Sequence, residues 1–217
     1  IFRVLKMILP QDAMVFASES GVTAAHVLSQ TTPSPLLLAK ILFEKTTLFF
    51  ADRNERGYGD RVLWGQKNIV ALLQQELMLS RSVALGVIQK YCAGAMSTPL
   101  KRRLEAMLMQ ELGLLARHIT PMLRKMHTKL LYVYQLYDIP YLVSPSFKNK
   151  IDQPVTLVPV DADAIGQSLG FQVTYLSGVP RTSVFGALAQ ILEWHQAPFD
   201  DKISHIAKRR VRWLTPT

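Results

Sequence analysis

The sequence contains little cysteine and no long apolar run. Cys92 is the only cysteine in 217 residues, which excludes an internal disulfide and any zinc site built from several cysteines. No apolar run reaches the roughly 18–20 residues that span a bilayer, so we expect no transmembrane segment. Hydrophobic residues make up 49% of the chain and charged residues 19%, a balance typical of a folded globular protein rather than a disordered one.

Recognisable motifs for catalysis or cofactor binding are also missing. The dense polar segment at residues 52–61 contains glycines but lacks the Lys-Ser/Thr ending of a phosphate-binding loop and the GxGxxG spacing of a dinucleotide site. The five histidines show no ligand spacing with cysteines or carboxylates. We therefore predict a non-enzymatic protein with no cofactor and no metal ion, although scattered residues could still form a catalytic site.

Acidic residues are scarce in one segment, and this concentrates the net charge of +9. Residues 81–150 hold 11 Lys or Arg and 3 Asp or Glu, which leaves a net charge of +8 there. Between Arg81 and Tyr137 the only acids are Glu105 and Glu111. A localised excess of positive charge attracts phosphates or acidic protein segments, whereas a uniform excess only aids solubility.

The clearest secondary-structure signal is a helix that starts near residue 98. Thr98-Pro99 places an N-cap before a proline at the first helical position. Apolar residues then recur with the spacing of one buried helix face up to Ile119. Thr120-Pro121 repeats the signature and predicts a further helix that ends before residue 140.

The overall prediction is a mostly α fold with a helical body at about residues 35–139. It includes a buried helix at residues 35–50, where the chain is apolar almost throughout. A second periodic stretch covers residues 64–91. The predicted domains are a helical domain at residues 1–147 and a small α+β domain or subdomain at residues 148–217.

The C-terminal domain is predicted to contain two short strands, at residues 155–160 and 171–176. Residues 178–192 resemble the turn and recognition helix of winged-helix DNA-binding domains, because a Gly-Val-Pro turn precedes a polar helix start and spaced apolar residues. The resemblance implies that Arg181 faces the major groove and that the basic tail acts as a wing. The alternative is an amphipathic helix that packs on the two strands.

The candidate binding residues lie on the polar side of the helix pair and in the tail. Arg103 and Arg117 are separated by about 21 Å along a helix axis, and an arginine fork suits phosphate or carboxylate. The full predicted set is Arg102, Arg103, Arg117, Arg124, Lys125, Lys129, Arg181, Lys208, Arg209, Arg210 and Arg212.

These features predict a cytoplasmic, non-enzymatic domain that binds nucleic acid through its phosphates. The alternative is an adaptor or assembly component, for example of a secretion or conjugation machine, whose basic helical face recognises an acidic protein segment. Methionines favour this alternative because their surfaces adapt to varied partners, unless they only fill the core. The methionines are Met96, Met107, Met109, Met122 and Met126.

Because the sequence begins at Ile1, it is also compatible with part of a larger or membrane-anchored protein.

Overall fold

The computed structural model shows a mixed α/β fold built on a five-stranded sheet with the strand order β3–β2–β1–β4–β5. It describes residues 20–32, 35–52, 56–135, 139–161 and residue 167. The prediction of a mostly α fold is therefore wrong. The strands are β1 (Leu36–Ile41), β2 (Thr46–Ala51), β3 (Arg56–Val62), β4 (Leu130–Gln135) and β5 (Thr156–Pro159).

Helices cover both faces of this sheet. Strand β1 pairs antiparallel with β2 and parallel with β4, while β2 pairs antiparallel with β3 and β4 pairs parallel with β5. One face carries the first helix, and the other carries the later helices in a larger core. The helices are α1 (Ser20–Thr31), α2 (Gln66–Glu76), α3 (Arg81–Cys92), α4 (Thr98–Lys125), a 3-10 turn (Pro140–Val143) and α5 (Pro145–Lys148).

The apolar run at residues 35–50 forms the β1–β2 hairpin, so the helix predicted there is wrong. Leu36 and Leu38 pack on the side of α1, while Leu37 and Ile41 pack on the opposite side against the larger core. A strand that is buried on both faces is apolar throughout instead of alternating. Periodicity alone does not distinguish such a strand from a buried helix.

The separate helix predicted after Thr120-Pro121 is wrong for a different reason. Helix α4 continues through Pro121 to Lys125, and the chain then forms β4. A proline cannot donate to the carbonyl four residues earlier, which here belongs to Arg117. Both Arg117 and Pro121 are exposed, so water can hydrogen-bond that carbonyl and the helix does not break.

The strand predicted at residues 155–160 is confirmed as β5. Phe147 and Val155 enter the same hydrophobic core as α4, so the sheet and its core extend on both sides of the predicted domain boundary. The strand predicted at residues 171–176 and the segment with the winged-helix resemblance lie outside the described residues. Where the chain divides into domains stays a prediction.

A tight junction between the β1–β2 turn and the start of α2 depends on a glycine. Gly65 caps α2, and its N–H donates to Asn68 Oδ1 at 3.2 Å. A Cβ at this position would meet the backbone of the β1–β2 turn, 2.5 Å from the nitrogen of Lys45. Gly86, inside α3, is the opposite case, because a Cβ there would meet nothing within 4 Å.

Replacing these two glycines by alanine is expected to change stability in opposite directions. Gly65→Ala should lower the free energy of unfolding by about 1–3 kcal/mol, because the backbone must shift to make room. Gly86→Ala should raise it by up to about 1 kcal/mol, because alanine is the better helix former. Urea unfolding followed by circular dichroism measures the free energy of unfolding of both variants. Equal stability of Gly65→Ala and the parent chain would contradict the claim that this junction requires glycine.

Candidate functional site

Helix α4 is 28 residues long, about 42 Å at 1.5 Å per residue, and it carries five of the eleven predicted binding residues. Ser97 occupies the N-cap in place of the predicted Thr98, and a proline stands in the first turn. The predicted apolar face is confirmed from Leu104 to Ile119, because Leu104, Leu108 and Leu112 are all buried, but its first residue, Leu100, is 42% exposed. This burial fixes which side of α4 faces outward.

The two acidic residues of α4 turn inward, Glu111 toward the loop before α2 and Glu105 toward α3. Glu111 Oε1 accepts a hydrogen bond from Trp64 Nε1 at 2.8 Å, and Glu105 Oε1 accepts one from the Tyr91 hydroxyl at 3.0 Å. Trp64 and Tyr91 are both buried. Lys101 lies 3.9 Å from the Glu105 carboxylate. Because both carboxylates are used in these inward contacts, the outward side of α4 carries no acid.

The outward side of α4 presents arginines with mixed small, polar and apolar side chains between them. Arg102, Arg103 and Arg117 are exposed, and no ion pair between described residues involves them. Between Arg103 and Arg117 lie Ala106, the exposed Gln110 and Gly113, and a Cβ at Gly113 would meet nothing within 4 Å. Exposed apolar side chains lie along the same helix: Leu100, Met109 and Leu114 at 42%, 41% and 44%.

A cleft of about 400 Å³ opens at the C-terminal end of α4. It brings together two of the predicted residues, Arg124 and Lys129, both of which are exposed. Arg124 Nη2 donates to the carbonyl oxygen of Asp152 at 2.9 Å and to its Oδ2 at 2.5 Å. The cleft is lined by Leu123, Arg124, His127, Lys129, Gln153 and Pro154.

The predicted residues thus form two groups instead of one continuous line. The first is the outward side of α4, and the second is the cleft. Lys125 is exposed in the last turn of α4. Asp152 was missed by the sequence reasoning, because it follows Arg124 by 28 residues and no local pattern marks it. The remaining predicted residues lie outside the described residues: Arg181, Lys208, Arg209, Arg210 and Arg212.

Most of these methionines pack in or against the hydrophobic core. Met122 is buried, and Met96, Met107 and Met126 pack against the larger core. Met109, which is 41% exposed, remains available as an adaptable surface residue. Only one exposed methionine therefore supports the adaptor hypothesis. The arrangement of charges on α4 is the stronger argument for it.

The described ranges contain neither a cluster of metal ligands nor a helix that could span a membrane. No three His, Cys, Asp or Glu side chains come together there in a way that could hold a metal ion. The side chain of Cys92 is partly buried. Among the helices that the structure describes, none has the length and apolar character needed to cross a membrane.

The fold resembles that of several solved structures. One is a PilM–PilN type IV pilus biogenesis complex, with 16% identity, a TM-score of 0.53 and coverage of 79% of this chain and 50% of the other. The ethanolamine utilization protein EutJ from Carboxydothermus hydrogenoformans matches with 10% identity and a TM-score of 0.52, over 64% of this chain and 49% of that one. The archaeal actin homologue Ta0583 matches with 11% identity and a TM-score of 0.46, over 65% and 49%.

These likenesses establish the fold and nothing finer. No family model and no curated protein matches the sequence. The chain spans about half the length of each of these three solved structures. The first two matches support a five-stranded mixed sheet packed with helices, and the lower score of the third adds no support.

The prediction of a nucleic-acid-binding domain is wrong. It depended on a mostly helical body with a continuous line of basic residues, whereas the chain has a mixed α/β fold shared with a pilus-assembly complex. The line is also interrupted, because Arg124 is paired with Asp152 and Lys129 lies beyond the end of α4. The alternative, an adaptor or assembly component, stays a proposal.

The contact between Tyr91 and Glu105 has a consequence for stability at high pH. Burial raises the pKa of the Tyr91 phenol well above its ordinary value, and the hydrogen bond to Glu105 and its negative charge raise that pKa further. Because the folded pKa exceeds the unfolded value of about 10, folding favours the neutral phenol. Its stabilising contribution is complete below about pH 10 and is lost as the pH rises above that value.

Removing the Tyr91 hydroxyl is expected to flatten the alkaline stability profile. Between about pH 9 and about pH 11, the free energy of unfolding of the parent chain should fall more steeply than that of Tyr91→Phe. Glu105→Gln keeps an acceptor and leaves the phenol buried, which is the largest cause of the raised pKa, so its slope should stay closer to that of the parent chain than to that of Tyr91→Phe. Urea titrations at several pH values measure the slopes, and parallel profiles for all three chains would contradict the coupling.

Proposed function

We propose that this chain is a protein–protein assembly domain whose α4 outward side takes up an acidic segment of a partner protein. The observation that carries this proposal is the inward turn of Glu105 and Glu111, which leaves Arg102, Arg103 and Arg117 on a surface without acids. The proposal includes a role in binding rather than catalysis, in the cytoplasm. It also includes a place in a larger machine for secretion, conjugation or pilus assembly.

Charge supplies the orientation of the partner on this surface. Arg103 and Arg117 lie about 21 Å apart along the helix axis, and each guanidinium can hold a carboxylate with two parallel hydrogen bonds. Exposed ion pairs contribute only about 0.2–1 kcal/mol each and weaken with salt. Charged groups at such positions chiefly increase the association rate and suppress wrong partners.

Apolar contacts supply the remaining affinity. Leu100 and Leu114 are each about two-fifths exposed and lie three residues before Arg103 and Arg117, on the same side of the helix. Burying apolar area contributes about 25 cal/mol per Å². Ala106 and Gly113 add little bulk on either side of Gln110, so a partner backbone can approach α4 closely at these two positions. Arginine and methionine are enriched in protein interfaces, whereas lysine is depleted. This composition favours a protein segment with both acidic and apolar residues.

The shared fold supports an assembly role. PilM and PilN form a complex in type IV pilus biogenesis, and this chain has the fold seen in that complex. A domain of this fold can therefore serve as a scaffold for another protein. We extend the same kind of role to this chain, with the α4 outward side as the surface of contact.

Reversing two charges on α4 tests the proposal. The tagged protein is isolated from its source organism after nuclease treatment, and co-purifying proteins are identified by mass spectrometry. Arg103→Glu/Arg117→Glu should reduce recovery of a partner with an acidic segment about tenfold, a loss of about 1.4 kcal/mol. The same loss should appear with the purified partner in a binding titration, and added salt should weaken binding by the parent chain.

The matched control is Lys90→Glu/Lys150→Glu, which makes the same change in net charge at exposed positions outside α4. This control should retain the partner. Equal losses in both double variants would indicate a general charge effect, and full retention in the α4 variant would exclude this surface. Recovery that depends on intact nucleic acid would also contradict the proposal.

A further inference from the structure

We propose that the cleft at the end of α4 binds a carboxylate of the acidic segment. Until that segment binds, the Asp152 carboxylate pairs with the Arg124 guanidinium and blocks this position. This inference rests on the proposed function and assigns a second contact to the same partner. The ligand it specifies is an acidic side chain next to an apolar one. Asp152 then acts as an internal competitor that lowers the affinity of the free protein.

The cleft combines an apolar wall with cationic groups. Leu123 and Pro154 contribute apolar surface, while Arg124 and Lys129 contribute positive charge. The only carboxylate that pairs with Arg124 among the described residues is Asp152, and no ion pair there involves Lys129. An acidic residue with an apolar neighbour fits both parts of this lining, because burial of the apolar group adds to the weak contribution of an exposed ion pair.

Asp152 is held over Arg124 by its neighbours and not by the ion pair itself. Ile151 and Val155, on either side, are 4% and 3% exposed in the larger core. Gln153 Nε2 also donates to the carbonyl oxygen of Thr128 at 3.2 Å. The backbone of this segment is therefore fixed independently, and the side chain of Asp152, which is 88% exposed, is free to be displaced.

The ion pair itself leaves Arg124 only partly used. Both contacts to Asp152 come from Nη2, and Nη1 and Nε make no hydrogen bond with a described residue. A carboxylate that approaches with two parallel hydrogen bonds gains a better geometry than Asp152 has. Because Arg124 is 57% exposed, exchanging one carboxylate for the other costs little.

Neutralising Asp152 provides the test. The probe is a short fluorescein-labelled peptide of paired glutamates and leucines, and its binding to the full chain is followed by fluorescence anisotropy at low salt. Asp152→Asn should bind the peptide about two- to fivefold more tightly than the parent chain, the range for release of an exposed ion pair. Arg124→Gln should bind it more weakly, and Arg124→Gln/Asp152→Asn should bind no more tightly than Arg124→Gln.

Glu76→Gln is the matched control, because Glu76 is exposed at the end of α2 and its change alters net charge equally. Its affinity should equal that of the parent chain. No binding by the parent chain, no gain in Asp152→Asn, or a gain that persists without Arg124 would each overturn the inference. Measuring Arg103→Glu/Arg117→Glu with the same peptide separates the two proposals. If this variant loses binding while Asp152→Asn binds like the parent chain, the role of the cleft is wrong and that of the α4 surface stands. If it binds like the parent chain while Asp152→Asn binds more tightly, the role of the α4 surface is wrong and that of the cleft stands.

Discussion

Burial of β1 on both faces is the constraint on which the rest of the structure depends. This strand lies at the centre of the sheet, with β2 on one side and β4 on the other. Its alternate side chains enter two separate hydrophobic clusters. A strand so placed needs a helical layer above and another below, because an exposed apolar face would cost about 25 cal/mol per Å². The helices on each side satisfy that requirement.

The position of α4 follows from this arrangement. The segment between β3 and β4 must cross the sheet, because β4 lies parallel to β1 on the far side of the β1–β3 meander. Its apolar side covers the sheet through residues such as Leu112 and Leu115, both fully buried. Trp64 and Tyr91 then hold Glu111 and Glu105 at the edges of that buried side. The unbalanced charge on the outward side is thus a result of how the helix is packed.

What could be predicted from the sequence depends on whether the signal was local. The start of α4 and its buried side follow from a cap, a proline and apolar spacing, and β5 follows from a short run of strand-forming residues. By contrast, β1 and β4 resemble buried helices because they are apolar on both faces. The exposure of Arg103 and Arg117 follows from the helical wheel. The pairing of Arg124 with Asp152 does not, because tertiary packing brings together residues 28 positions apart.

The arrangement of the basic residues suits an acidic protein segment better than the phosphates of a nucleic acid. A polyanion is best met by a continuous row of cations with few apolar groups, because its charges are evenly spaced and its affinity comes from counterion release. Here Arg103 and Arg117 are separated by the uncharged residues Ala106, Gln110 and Gly113, while the exposed Leu114 lies one turn before Arg117. Beyond them, Arg124 already holds a carboxylate. Guanidinium groups beside apolar side chains on α4, and an arginine in the cleft that pairs with a carboxylate of its own chain, agree with the proposed recognition of acidic protein side chains.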